Sequence, residues 1–284
     1  MSLHRELRKL CEQNKDGSYS TQAARQDILK QTASQLYDLG FKDLTAHGLK
    51  PKHIDALLKS WRDQQLSTAT IKNRMAHLRW WAEKVNRQSV IARNDKFGIG
   101  RRKYVTPENK AKILDSDKLN KITDERIWCS LELQAAFGLR RAESLKLMPE
   151  WADLGDKIRL KDTWCKGGRP RTIPITKPEQ REILEKAKRL AGSGSMIPPD
   201  KTYVQWLNRF TGLCQRAGIC NVHGLRHNYA QDRYLELTGW ECPKRGGPKA
   251  TEMTLEQRQI DHDARLQISA VLGHNRLEIT YQYC

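Results

Sequence analysis

Apolar positions in the first hundred residues recur at helical spacing. Ile71, Met75, Leu78, Ala82 and Val85 step by four, three, four and three, which predicts one buried stripe on a helix over 67–87. Ser67 or Thr68 can cap it. Ser20 or Thr21 can cap an earlier helix that runs to about Leu39 and ends at Gly40. Pro51 suits the first turn of another, reaching about Gln65. The periodicity stops near Asn86, and Gly98, Gly100 and Pro107 interrupt the next stretch of chain. This predicts a small helical domain over 1–105, closed by a linker at about 90–105, and a second domain over 106–284.

The second domain reads as mixed. Helices are predicted over 124–138 and 140–149. Two short β-like runs, 157–161 and 171–175, flank the turn Lys166-Gly167-Gly168, which signals a hairpin. Helical patterns resume at 178–191, 202–217, 223–238, 254–272 and 276–283. The fold class is therefore mainly α, with one small β-hairpin. The chain has no internal repeat, no low-complexity tract and no glycine motif of the P-loop or dinucleotide type.

Charge adds a partner class. The 284 residues hold 51 Lys+Arg against 33 Asp+Glu, a formal net charge of +18. Such an excess points to a polyanion, most simply nucleic acid. Apolar runs are too short for a membrane span, and the N-terminus lacks the apolar core of a secretory signal, so a cytoplasmic protein is expected. Seven cysteines without a Cys-x-x-Cys pair read as reduced thiols. The excess is densest over 71–104, where ten basic residues face only Glu83 and Asp95. Lys72, Arg79 and Arg87 share one predicted helix face with Trp80 beside them, and Arg101, Arg102 and Lys103 lie in the linker. These six are the candidate DNA-binding residues. Their face either follows DNA phosphates or is simply solvated.

Candidate chemistry sits in four short segments. In Gly138-Leu139-Arg140-Arg141-Ala142-Glu143, an Arg opens a helix among free backbone N–H groups, a setting that favours phosphate. Glu143 falls where it can orient Arg140, and an ordinary helical Arg–Glu pair is the other reading. Lys166, on its glycine turn, can swing into a cleft and donate a proton, or stay solvated. In His223-Gly224-Leu225-Arg226-His227, His223 and Arg226 share a helical face, so one can move a proton while the other holds a phosphate oxygen. Cys214, Cys220, His223 and His227 are near in sequence, but their spacing is not that of a zinc finger, and no metal is expected. Finally, His274 precedes Tyr283 by nine residues.

In this order the segments resemble the tyrosine recombinase (phage integrase) family. The resemblance is carried by Gly-Leu-Arg-x-x-Glu, Lys-Gly-Gly-x-x-Arg-x-x-Pro, His-x-Leu-Arg-His, Leu-Gly-His and Thr-x-x-Tyr, spanning 138–283. It implies a helical core-binding domain before a catalytic domain, and a site-specific recombinase that cleaves and rejoins DNA. It implies that Tyr283 attacks the scissile phosphate to form a 3′-phosphotyrosine, and that Arg140 and Arg226 hold the non-bridging oxygens. Lys166 would protonate the departing 5′-oxygen, His223 would help take the tyrosine proton, and His274 would hydrogen-bond the phosphate. It further implies paired DNA half-sites, dimers and a tetramer on DNA, accessory DNA-bending proteins, and a phage or mobile-element setting in a prokaryotic cell. No cofactor is expected, because Arg, Lys and His supply the charge that phosphoryl transfer needs. A DNA-binding regulator without catalysis and a topoisomerase of the same chemistry are the alternatives.

The sequence departs from the family pattern in three places. His223 and His274 lie 51 residues apart, about twice the spacing in compact members. The excess, about 237–263, reads either as a loop that contacts DNA or a partner, or as a tolerated surface insertion. The chain stops one residue after Tyr283, where members usually continue with a tail that docks on a neighbouring subunit. Tyr281 competes with Tyr283 for the nucleophile; the Thr-x-x-Tyr match and the nine-residue spacing favour Tyr283.

Overall fold

A computed structural model of the chain describes residues 2–102, 104–274 and 276–284. The candidate Lys103 lies outside them. The chain forms two compact units, 1–103 and 104–284.

The first unit is helical: α1 (Leu3–Gln13), α2 (Tyr19–Asp38), α3 (Pro51–Asp63) and α4 (Thr68–Lys84). The stripe on α4 is buried as its spacing predicts, and packs with Leu36, Leu57 and Trp61. Each fully buried Leu or Ile stabilises the unit by roughly 2 kcal/mol. The two buried indoles are also satisfied: Trp61 Nε1 donates to Gln35 Oε1 at 2.9 Å, and Trp81 Nε1 to the carbonyl of Ala46 at 2.9 Å. Ser67 caps α4, its hydroxyl accepting from Thr70 N at 3.2 Å. For α2 the cap is Ser18, two residues before the earlier of the two expected caps. Helix α1 is an addition to the expected elements. Its signal is the spacing of Leu3, Leu7 and Leu10, short because the helix has only 11 residues.

The second unit is mainly α around one antiparallel hairpin. It comprises α5 (Ser116–Leu119), α6 (Glu125–Phe137), α7 (Arg141–Lys146), α8 (Pro149–Ala152), β1 (Lys157–Leu160), β2 (Arg171–Pro174), α9 (Pro178–Ala191), α10 (Tyr203–Arg216), α11 (His223–Thr238) and α12 (Leu255–Val271). The helix expected to begin near Arg140 and end by Pro149 is α7, and Pro149 opens a further short helix, α8. Strand β1 pairs with β2 with Leu160 opposite Arg171, which plants Arg171 at the start of its strand. The predicted final helix is a 3-10 turn, Leu277–Gln282. Gly138 ends α6 at φ +60°, and a Cβ there would lie 2.4 Å from the Tyr229 ring, so this close crossing of α6 and α11 requires glycine.

The excess over 237–263 is anchored to the body of its unit at two points. Helix α11 runs through its first residues and α12 through its last, and the segment between is mostly exposed or half-buried apart from two buried anchors. Cys242 is buried in the main core of this unit, and Met253 is buried too.

Candidate active site

Side chains from four parts of the chain, 140–143, 171, 223–227 and 274–283, converge in the second unit. Arg140 is the N-cap of α7, so its backbone N–H is free of the helix and donates to Glu143 Oε2 at 2.7 Å. Its guanidinium Nη1 donates to Glu143 Oε1 at 2.7 Å, and Nη2 to the carbonyl of Leu272 at 3.3 Å. The expected pairing of Arg140 with Glu143 is therefore present. The Arg140 side chain keeps 21% of its surface open to solvent, enough for a ligand to reach it.

Glu143 does more than orient Arg140. It is fully buried and takes a second, bidentate partner: Arg171 Nη1 to Oε1 at 2.9 Å and Nη2 to Oε2 at 2.7 Å. Arg226 Nη1 stands 3.9 Å from the same carboxylate. Burial opposes the charge of Glu143, but hydrogen bonds from Arg171 and the charges of Arg171 and Arg140 outweigh it and hold its carboxyl at about 2. One carboxylate thus neutralises part of a three-arginine cluster. Sequence reasoning assigns Arg171 no role. The signal for it is its fixed place in Lys-Gly-Gly-x-x-Arg.

Arg226 lies on α11 with no exposed surface. Nη1 donates to the carbonyl of Gly138 at 2.6 Å, and Nη2 to the carbonyl of Leu272. Among the described residues its Nε has no partner. Burial, then the like charge of Arg140, pulls its pKa down to about 10, so it stays cationic at neutral pH. His274 Nε2 sits 3.4 Å from Nη2.

Tyr283 is the residue on which these groups close. Its hydroxyl lies 3.3 Å from His223 Nε2. Its ring stacks on His227 with centroids 4.3 Å apart, tilts against His274 at 5.2 Å, and lies 6.0 Å from the Arg226 guanidinium carbon. Tyr283 is 6% exposed and Tyr281 41%, as expected of side chains that leave the chain on different sides. Tyr281 instead lies under the Arg265 guanidinium, 4.4 Å from its ring.

All three histidines here favour the neutral state. Burial, then Arg226 and Arg140, lowers His223. Burial and the charges of Arg226, Arg140 and Arg171 push His274 down to about 3, and burial with His223 and nearby lysines pushes His227 to about 4. A neutral His223 can accept a proton at Nε2 when its other nitrogen carries the hydrogen. Lys166 is exposed on the hairpin turn, and its charge is felt at His223. Among the described residues no cluster of metal-ligating side chains occurs, and Cys214, Cys220, His223 and His227 do not form one.

The candidate DNA-binding residues divide. In the first unit Lys72, Arg79 and Arg101 line one open groove of about 820 Å³, joined by Arg93, which the helical pattern does not single out. Arg79 also holds the segment after α4, donating to the carbonyl of Ala92 at 2.9 Å and to Asn94 Oδ1 at 2.8 Å. Arg87 lies beyond the end of α4 and outside the lining of that groove. Arg102 is exposed. Trp80 belongs to the fold: Nε1 donates to Asp16 Oδ2 at 2.8 Å and Arg25 stacks over the ring at 4.1 Å.

Two family models match the chain. "Phage integrase, N-terminal" covers residues 1–91, and "Integrase" covers 99–232. No curated protein matches it. Among solved structures, a lambda integrase dimer bound to a COC′ core site is similar with a TM-score of 0.60 at 17% identity, over 100% of this chain and 95% of that one. XerH site-specific recombinase bound to palindromic difH, a post-cleavage complex, gives a TM-score of 0.60 at 16% identity, over 99% and 80%. A lambda integrase tetramer bound to a Holliday junction gives 0.58 at 16%, over 100% and 77%. At these identities the likeness is one of fold. Among the described residues no helix is long and apolar enough to cross a membrane.

Proposed function

Because the chain belongs to the phage integrase (tyrosine recombinase) family, we infer that the cluster around Tyr283 cleaves and rejoins DNA at a specific site. The observation that carries this reading is the Tyr283 hydroxyl, 3.3 Å from a histidine nitrogen held in its basic, neutral form. A phenol has a reference pKa of about 10 and is a weak nucleophile unless a base or a positive field assists it. Here both are at hand.

In this reading the Tyr283 oxygen attacks the scissile phosphorus and His223 takes its proton. The bond to the 5′-oxygen breaks, Lys166 protonates that oxygen, and a 3′-phosphotyrosine remains. Arg140, open to solvent, holds a non-bridging oxygen. Arg226 holds the other and adds its charge; among the described residues its Nε has no partner. His274 hydrogen-bonds the phosphate. Charge stabilisation of this kind supplies much of the acceleration of phosphoryl transfer. The 5′-hydroxyl of another strand reverses the step, and the phosphotyrosine keeps the bond energy for it.

The first unit serves in this reading as the core-binding domain, with its basic groove on the DNA backbone. Lambda integrase is seen as a dimer on a core site and a tetramer on a Holliday junction, and we carry the same assembly on paired half-sites over to this chain, acting in the cytoplasm of a prokaryotic cell.

The test is a DNA substrate nicked so that the freed strand diffuses away. The full chain should become trapped on a 3′-phosphate, and peptide mapping should find the adduct on Tyr283. Site-specific binding with no adduct under any condition favours a regulator without catalysis, and adducts without sequence preference favour a topoisomerase.

A further inference from the structure

We propose that Gln231 on α11, braced by Arg245 from the segment between α11 and α12, is a clamp that sets the position of Tyr283, with both as positioning residues. The proposal rests on the reading of Tyr283 as the nucleophile.

Gln231 is wholly buried on α11, and every hydrogen-bonding position of its amide is used. Nε2 donates to the backbone carbonyl of Tyr283 at 2.7 Å and to Asn109 Oδ1 at 2.8 Å. Oε1 accepts from Arg245 Nε at 2.8 Å and from Asn109 Nδ2 at 3.4 Å. An amide with two donors and two lone pairs has nothing further to offer. Its orientation is fixed as well. Reversing it would set an oxygen against the Tyr283 carbonyl and an NH₂ against the Arg245 guanidinium. Arg245 thus fixes the amide from its oxygen side, and Gln231 holds the main chain of Tyr283 from its nitrogen side.

Arg245 is in turn anchored. Nη2 donates to Asn228 Oδ1 at 2.8 Å and to Asp232 Oδ1 at 2.7 Å. Lys244 beside it donates to the carbonyls of Thr106 and Glu108. Gly247 closes the loop so tightly that a Cβ would fall 1.6 Å from the carbonyl oxygen of Glu241. The end of the chain is held a second time from α11, where Cys284 Sγ donates to the carbonyl of Ala230 at 3.6 Å, with Cys242 of the inserted segment buried in the same core. Two hydrogen bonds from α11 thus hold residues 283 and 284, and the inserted segment braces the first of them through Arg245. The 3-10 turn before Tyr283 meets α12 through Thr280 Oγ1, which donates to the carbonyl of Arg265 at 3.5 Å, and through the Tyr281 ring under the Arg265 guanidinium.

A held backbone matters because attack by Tyr283 needs its oxygen in line with the phosphorus, and a displacement near 1 Å can cost on the order of a hundredfold in rate. Arg245→Met keeps the apolar stem and removes the fork. In the full chain it should slow adduct formation at saturating nicked DNA by about tenfold or more, with the Kd for DNA unchanged. Gln231→Leu should do the same, but its site is buried, so Arg245→Met carries the test. A second readout separates position from general damage. In a Tyr283→Phe background, hydrogen peroxide stands in for the phenol and attacks the phosphate held by the arginines. Arg245→Met should leave peroxide-driven cleavage at the level of Tyr283→Phe alone. A Tyr283 adduct formed at the full rate by Arg245→Met overturns the clamp, as does an equal loss of peroxide-driven cleavage. An adduct mapped to another residue in the unchanged protein sinks the functional reading itself, and the clamp with it.

Discussion

Arg171 and Glu143 form a bidentate ion pair, with N–O distances of 2.9 and 2.7 Å, in which the carboxylate has no exposed surface. Arg171 also donates Nε to the carbonyl of Val271 at 2.7 Å. The pair ties β2 to the start of α7 and to the end of α12, the elements that carry Arg140 and lead to His274. A single carboxylate therefore sets where the partly exposed Arg140 guanidinium points.

Glu143→Gln should accordingly be costly twice over. It leaves Arg140, Arg171 and Arg226 close together without their counter-charge. Removing one partner of a buried pair costs about 3–5 kcal/mol, which chemical denaturation should register as a lower midpoint. Adduct formation should fall even at temperatures where the variant is folded, because Arg140 loses its orienting partner. A midpoint within experimental error of the unchanged protein would show that the cluster is not balanced by Glu143.

The depressed histidines make stability depend on pH in a defined direction. Folded His227 and His274 resist protonation down to about 4 and about 3, whereas unfolded histidine titrates near 6.5. Below about 6.5 the unfolded chain binds the protons that the folded chain excludes, so stability is lost as pH falls. Above that value the two states bind equally and this contribution is flat. The pH below which Glu143 adds to the loss is lower, near its unfolded value of about 4.3. Denaturation midpoints should therefore decline from pH 7 toward pH 4.5, and His227→Asn should make the decline shallower. A midpoint independent of pH over that range would mean the histidines are not held neutral.

Much of this site is legible in the sequence because its chemistry is written in short motifs. Gly138 to Glu143 and His223 to Arg226 each fall on one helix start, where spacing alone fixes which side chains lie together. Long-range pairings are not legible. A strand arginine such as Arg171 looks like any solvated arginine until the hairpin brings it to Glu143. Gln231 is one polar residue among several on α11, and only the fold shows that its partners come from positions 109, 245 and 283. Arg87 reads as a helix-face residue because the regular stripe hides the early end of α4 at Lys84. The final turn reads as an α-helix because 3-10 and α spacing look alike over six residues.

The two C-terminal tyrosines should separate cleanly. Tyr283→Phe removes only the oxygen beside His223, so folding and DNA binding should persist while the covalent adduct disappears. Tyr281→Phe touches a ring that is 41% exposed and packs under Arg265, so it should retain most of the adduct. The arginines then report on charge. Arg140→Ala should cut adduct formation by roughly a hundredfold or more, the scale at which single charge-stabilising donors act, although Tyr283 is intact. Full activity in Tyr283→Phe would reassign the nucleophile.

The groove of the first unit yields a prediction about salt. Lys72, Arg79, Arg93 and Arg101 line it against a single acidic residue, Asp95. If DNA phosphates lie there, each neutralised phosphate releases bound counterion, and the logarithm of affinity falls linearly with the logarithm of salt concentration. The slope measures the number of contacts, about 0.9 per phosphate on duplex DNA. Arg79 is a poor residue for the test, because its hydrogen bonds to Ala92 and Asn94 hold the segment after α4, and its loss would alter the fold as well as the charge. Lys72 and Arg93 are better. Replacing both by Gln should weaken binding by a similar factor on specific and non-specific DNA, since backbone contacts carry no sequence information. The slope should shrink by about two while the denaturation midpoint stays within about 0.5 kcal/mol, the usual range for surface substitutions. An unchanged slope in the double variant would make the groove a solvated face and move the DNA-binding surface of this unit elsewhere.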